Sequence, residues 1–150
     1  MEIMQKTYVI GVDIGGTHTR IGELTPDGSL HYFSKKKTTE VIDADAPIES
    51  LKSFLYEYIQ LYIGDGEVLA VGLGFPSVVS KDKKSIHTTT SMESLSNVNI
   101  VDPLNAHLQV PIFIDTDVNH LLQYEISKRN ITREEIVIGL FIGTGFGNSI

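Results

Sequence analysis

The 150 residues contain no cysteine, so neither a disulfide framework nor a thiolate metal site can form within them. That absence agrees with a reducing compartment. Basic residues are few: 12 lysines and arginines stand against 19 aspartates and glutamates, a formal charge of -7. No basic surface of the size nucleic acid requires can be assembled from these, and an anionic membrane would repel the chain. Long apolar runs are missing too. None approaches the roughly 18 residues of a membrane span, and no targeting signal precedes the first strand. Repeats, low-complexity tracts and linkers are also lacking. The reading that remains is a cytoplasmic protein acting on a small neutral molecule.

What is present is an ordinary globular composition, 41% hydrophobic and 21% charged, enough for one domain with its own core. Thr7 to Asp13 is almost wholly apolar, the pattern of a strand covered on both faces. His18 to Thr25 alternates as a second strand, Pro26-Asp27-Gly28 turns the chain, and Ser29 to Lys36 makes a third. The opening is therefore a three-stranded antiparallel meander. Ile48, Leu51, Phe54, Leu55, Tyr58, Ile59 and Tyr62 then recur at threes and fours, which predicts an amphipathic helix with Pro47 in its first turn and its aromatic stripe in the core.

Gly64-Asp65-Gly66 stops that helix, and Val68 to Phe75 returns as a buried strand after a crossover long enough for parallel pairing. Asp102 followed by Pro103 starts a short helix to about Leu108. Pro111 to Asp115 reads as a brief buried strand, and Val118 to Lys128 as a helix with Leu121, Leu122 and Ile126 turned inward. Thr132-Arg133-Glu134-Glu135 has capping-box spacing before an apolar strand, Ile136 to Ile142. The expected fold is α/β, a mixed sheet of an antiparallel meander plus parallel strands, flanked by helices.

Three places carry chemistry. After the first strand comes Asp13-Ile14-Gly15-Gly16-Thr17-His18-Thr19-Arg20. Glycines at 15 and 16 would let the backbone take positive φ and aim N–H groups at a phosphate, with Thr17, Thr19 and Arg20 as further donors. Asp13 would be repelled by phosphate and more plausibly holds a hydrated Mg²⁺ against it. The same residues also suit a plain hairpin turn, and on this stretch the two readings stand level. Asp117 falls where a strand's carboxyl end meets a helix N-terminus, the place where open α/β sheets put ligands. Gly143-Thr144-Gly145-Phe146-Gly147 is a second glycine-hydroxyl turn after a strand, another candidate phosphate nest. The hydroxyl-rich loop from Pro76 through Ser91 would suit either a sugar or solvent.

Taken together, Asp13-Ile14-Gly15-Gly16-Thr17, Gly72-Leu73-Gly74-Phe75-Pro76-Ser77-Val78-Val79, Asp115-Thr116-Asp117-Val118-Asn119 and Gly143-Thr144-Gly145-Phe146-Gly147 resemble the ROK sugar kinases of the actin-like ATPase superfamily, whose domain is ribonuclease H-like. The Asp117-Val118-Asn119 triplet and the run from Gly74 to Lys83 look most like the allose kinases of that family. The resemblance implies an ATP-dependent hexose kinase, with Asp117 as the general base toward the sugar hydroxyl, O6 of allose or a related hexose. It implies Asp13 for Mg²⁺, the turns at Gly15, Gly16, Thr17, Thr19 and Arg20 and at Gly143, Thr144 and Gly145 for ATP, and Ser77, Val78, Thr116 and Asn119 for the sugar. Phosphoryl transfer asks mainly for positioning and charge neutralisation, and a carboxylate orienting the attacking hydroxyl agrees with that.

Two departures fall beside the expected sugar. The family usually has asparagine where this chain has Thr116, and Pro-Gly-x-Val where it has Pro76-Ser77-Val78-Val79. Its members also carry a second domain with a Glu-x-Gly-His motif, a structural zinc site and an adenine pocket. The expectation is therefore an N-terminal domain over 1–142, the start of the next over 143–150, and negligible kinase activity from this piece alone. Only 12 residues precede Asp13, too few for the winged helix-turn-helix of the family's sugar-sensing regulators. Apolar surface left bare by a missing second domain would favour pairing with a partner or a second copy, a homodimer.

Overall fold

The computed structural model describes residues 7–64, 66–87, 92–129, 131, 136–142 and 146–150. Strands β1 (Thr7–Ile14), β2 (His18–Leu24) and β3 (Leu30–Lys37) form the expected antiparallel meander. Pro26-Asp27-Gly28 turns the chain between β2 and β3, with Gly28 at φ 82°. Helix α1 (Thr38–Val41) is a single turn, and α2 (Pro47–Tyr58) runs on into a π-helical turn at Ile59–Ile63 that Gly64 ends at φ 55°. The chain then crosses to β4 (Glu67–Phe75), parallel to β1. A small hairpin, β5 (Val78–Val79) and β6 (Ile86–His87), precedes α3 (Val101–Leu108), β7 (Ile112–Thr116) and α4 (Asp117–Arg129). The main sheet has the order β3-β2-β1-β4-β7, with β7 parallel to β4.

One face of this sheet makes the core. Ile10, Val12 and Ile14 of β1, Ile21 of β2 and Val71, Leu73 and Phe75 of β4 meet Leu51, Phe54, Leu55 and Tyr58 of α2. Full burial of each such aliphatic or aromatic side chain stabilises the fold by about 1.5–3 kcal/mol. The Tyr58 hydroxyl donates to the Tyr32 carbonyl at 3.0 Å. Burial, with the Glu23 carboxylate nearby, pushes its pKa up to about 12.

Several expectations are corrected. The apolar run of β1 is not covered on both faces among the described residues: Val9 is 37% exposed and, with Gly11 and Asp13, lines an open groove of about 460 Å³. Tyr62 leaves the core and stacks on Tyr32 at 5.1 Å between ring centroids, because the π turn sets residues after Tyr58 off the α-helical stripe. Helix α3 begins at Val101, one residue early, with Ile100 at the cap position and the Asn99 side chain accepting the Asp102 N–H at 3.0 Å. On α4 only Leu122 is buried. Leu121 is 51% exposed and Ile126 only half-covered, because the helix meets the hairpin of β8 (Gly139–Ile142) and β9 (Phe146–Ser149) on a narrow stripe.

Residues 136–138 are not strand, and β8 pairs with β9 in a sheet of its own rather than joining the main one. The expected break at residue 143 falls inside this hairpin. Thr132 to Glu135 and Gly143 to Gly145 lie outside the described residues.

Candidate active site

Because β1, β4 and β7 are parallel, their carboxyl ends share one edge of the sheet. Register then puts Arg20, Asp13, Gly74 and Asp115 side by side across four strands, all facing away from the core. Helix α4 leaves the end of β7 and passes over the middle of that row. A Cβ on Gly74 would lie 3.2 Å from His120 Nδ1 and 3.6 Å from the Asp117 Cα, so the first turn of α4 packs directly on this strand end. The backbone positions of Asp13 and Asp117 therefore both lie beside Gly74 at this sheet edge.

The first turn is built differently from the expectation. Among the described glycines positive φ falls on Gly28 and Gly64, not on Gly15 or Gly16. Glycine is needed at 15 because the His18 carbonyl accepts its N–H at 3.0 Å and would sit 2.9 Å from a Cβ. Gly16 and Thr17 are exposed in the turn. Thr19 is not available to a nucleotide: it is 1% exposed, and its hydroxyl lies 3.1 Å from that of Thr38 because strand alternation turns it inward. Arg20 pairs with Asp13 at 2.6 Å, both side chains nearly half exposed.

Thr38 went unnoticed in the sequence, being an unremarkable threonine after a lysine run. Its hydroxyl donates to the Gly15 carbonyl at 2.6 Å and its N–H to the Thr17 carbonyl at 3.0 Å, tying the turn to α1. Thr38→Val keeps the shape and strands two polar groups, so it is expected to cost about 1–3 kcal/mol in chemical denaturation. A cost below about 0.5 kcal/mol, within the range of an ordinary surface change, would show that the turn stands without it.

At the other side of the cleft Thr116 accepts the Asn119 N–H on its hydroxyl at 3.2 Å and caps α4. Asp117 Oδ1 accepts the N–H of Val118 at 2.7 Å. Asp115, which was not singled out, accepts from the Thr116 N–H and the Asn119 amide at 2.8 Å each and pairs with Lys83 at 2.9 Å. Burial disfavours its ionised form, yet Lys83, Asn119 and the Thr116 N–H outweigh burial and hold its pKa below the ordinary 3.8. Since the folded value is the lower, ionised Asp115 stabilises the protein fully above the unfolded pKa, and that contribution is lost as pH falls through the folded one. Asp27, Asp82 and Asp102 are lowered as well by hydrogen bonds in their turns and to Lys84, so the stability of the chain declines below about pH 5. Urea titrations at stepped pH should show a shallower decline in Asp115→Asn; identical slopes would contradict this account.

The hydroxyl-rich loop is partly a hairpin. Its turn is closed by Ser80 and Asp82, and Lys83 takes φ 57°, from where its ammonium reaches Asp115. Ser77 is 7% exposed, with its hydroxyl unpartnered among the described residues, whereas Val78 is 68% exposed. The site thus assembles Asp13, Gly15, Gly16, Thr17, Arg20, Thr116 and Asp117 along one strand-end edge and turns Thr19 away; Gly143, Thr144 and Gly145 are outside the described residues. No cluster of three or more metal-ligating side chains occurs among the described residues. Asp13, half exposed and paired with Arg20, would offer Mg²⁺ a single carboxylate, the ion keeping waters and taking further oxygens from phosphates. When bound, the ion would screen phosphate charge there.

A five-stranded mixed sheet of this order flanked by helices has the actin-like ATPase fold of the solved sugar kinases it resembles. A ROK family glucokinase from Streptomyces griseus in complex with glucose and AMPPNP superposes with a TM-score of 0.72 at 21% identity over 94% of this chain and 43% of its own. The ROK family profile matches residues 9–150, and the chain belongs to the ROK family. It is 23% identical to a glucokinase from Thermotoga maritima across 98% of its length and 45% of that protein's. To a beta-glucoside kinase of Listeria monocytogenes it is 25% identical, over 95% and 46%. The chain thus spans about half the length of the curated relatives it matches.

Proposed function

We propose that this chain is the N-terminal half of an ATP-dependent hexose kinase, with Asp117 as the base that accepts the proton of the attacking sugar hydroxyl. The observation that carries this reading is the convergence of Asp13 and Asp117 over Gly74 at one sheet edge. The Gly15-Gly16-Thr17 turn and Arg20 would meet the nucleotide phosphates, with Mg²⁺ at Asp13. The Gly143-Thr144-Gly145 turn would supply further N–H donors. Ser77, just past the end of β4, and Thr116, the last residue of β7, would stand on the sugar side of the site.

Allose or a closely related hexose, with O6 as acceptor, is the substrate favoured by the Gly74–Lys83 and Asp115–Asn119 stretches. Matched relatives are named for glucose, beta-glucosides and N-acetyl-D-glucosamine, so the choice among hexoses rests on polar groups in the site that one substitution can leave unpaired. We place the boundary with a second domain near residue 143 and the protein in the cytoplasm; no described helix is long and apolar enough to cross a membrane. No nucleic-acid or membrane partner is proposed, and alone the 150 residues are expected to turn over sugar negligibly.

A second reading has an observation of its own. Leu69, Phe113 and Phe33 are 47%, 60% and 58% exposed, apolar surface that self-association would cover. Calorimetric titration with Mg-AMPPNP and with allose, glucose and mannose, run beside light scattering, separates the two. Saturable binding of nucleotide and one hexose supports the kinase half; a stable dimer that binds neither would replace it. ATP-dependent phosphorylation by the 150 residues alone would disprove the expected inactivity.

A further inference from the structure

We propose that Asn119 is a positioning residue rather than a sugar ligand: it ties the β8–β9 hairpin to the end of β7, so that the seating of β9 on α4 sets the orientation of the Asp117 carboxylate. Both ends of its amide are engaged within the protein. Nδ2 donates to Asp115 Oδ1 at 2.8 Å, and Oδ1 accepts the Ser149 hydroxyl at 2.5 Å. Asp115 is held in turn by Lys83 at 2.9 Å. The series Lys83, Asp115, Asn119, Ser149 thereby joins the β5–β6 turn, the strand end, the first turn of α4 and the hairpin, segments 32 and 30 residues apart at its outer links.

The chemistry at position 119 is demanding. The side chain must donate to a carboxylate at one end and accept from a hydroxyl at the other, which an amide does and neither a carboxylate nor an alkyl group can. An aspartate there would face Asp115 with like charge.

The hairpin sits close enough to transmit a shift. A Cβ on Gly147 would lie 2.6 Å from Val118 Cγ1, and a β-branched side chain cannot swing clear within a helix. Ser149 is 8% exposed. Asp117 stands between the two residues these contacts grip: Thr116, capped to Asn119, and Val118, under Gly147. A displaced hairpin therefore moves the first turn of α4, and the Asp117 carboxylate with it.

What this coupling means for turnover rests on the kinase reading; the coupling itself does not, and the test keeps them apart. The unliganded 150-residue chain, labelled with ¹³C and ¹⁵N, is compared with Ser149→Ala, Ser149→Thr, Gly147→Val and Asn119→Ala, following the Asp117 carboxyl carbon and the Thr116 amide. Ser149→Ala and Gly147→Val are expected to shift both signals, and Ser149→Thr, which keeps the hydroxyl, to restore them. Ser149→Ala added to Asn119→Ala should change nothing further. Should Asn119→Ala fail to fold, Ser149→Ala, which loses one hydrogen bond, still decides the matter.

A merely structural Asn119 would lower the melting temperature of these variants and leave the Asp117 carbon unmoved, and that result overturns the proposal. Hexose titration of the same samples reads the other question. Binding weakened about tenfold in Ser149→Ala, the loss of roughly one hydrogen bond, supports both. A shifted Asp117 carbon with no hexose binding even in the parent chain upholds the coupling and overturns the kinase reading.

Discussion

Asp117→Asn is expected to lower hexose phosphorylation by about 10²–10⁴-fold, the usual contribution of a positioned general base. The substitution is nearly isosteric, and the amide oxygen can still accept the Val118 N–H that Oδ1 accepts at 2.7 Å, so the first turn of α4 should hold. What disappears is the capacity to take a proton. Nucleotide affinity should stay within about twofold, because phosphates would be gripped across the cleft at the Gly15 turn, where Arg20 and Asp13 stand. The assay belongs in this chain extended by the second half that its relatives carry, with steady-state kcat and KM measured for sugar and ATP separately. Turnover within about threefold of the parent would remove Asp117 from the chemistry, and a rise confined to the sugar KM would reduce it to a binding group.

The largest structural effect is expected from Phe75→Ala, a loss of about 3–5 kcal/mol from a domain whose whole stability is of the order of 5–15 kcal/mol. Phe75 is 0% exposed at the last position of β4 and pairs in register with Thr116 of β7. The cavity would open beneath the two segments that carry Ser77 on one side and Asp115 to Asp117 on the other. Stability and site geometry should therefore fail together. Phe75→Leu keeps most of the volume and should cost markedly less. Urea unfolding followed by circular dichroism measures both. Equal costs for the two variants would show that packing at this strand end is loose, and that the site is not held from below.

The order of elements was legible because it depends on local pattern. Alternation in β2, the three-four spacing of Leu51, Phe54, Leu55 and Tyr58, and the Pro26-Asp27-Gly28 and Gly64 breaks act within a few residues, so the meander, the long helix and the crossover to β4 could be read directly. Errors gathered where a neighbour distant in sequence decides. Leu121 and Leu122 are equally apolar, and the way α4 packs against the main sheet and the β8–β9 hairpin makes one exposed and the other buried. Thr17 and Thr19 both looked like phosphate donors. Pairing of β2 between β1 and β3 turned Thr19 inward to Thr38.

The sequence by itself determined that parallel strands would end in carboxylates, because the apolar runs of β1 and β7 stop at Asp13 and Asp115 and a helix opens at Asp117. Hydrophobic periodicity needs no partner to be recognised. Tertiary structure alone decided that Asp13, Asp115 and the first turn of α4 would meet around Gly74, and that Asn119 would spend its amide on Asp115 and Ser149 rather than face outward. Those outcomes depend on strand register and on the approach of α4 to β4, distances set by packing between segments tens of residues apart, for which a linear pattern carries no signal.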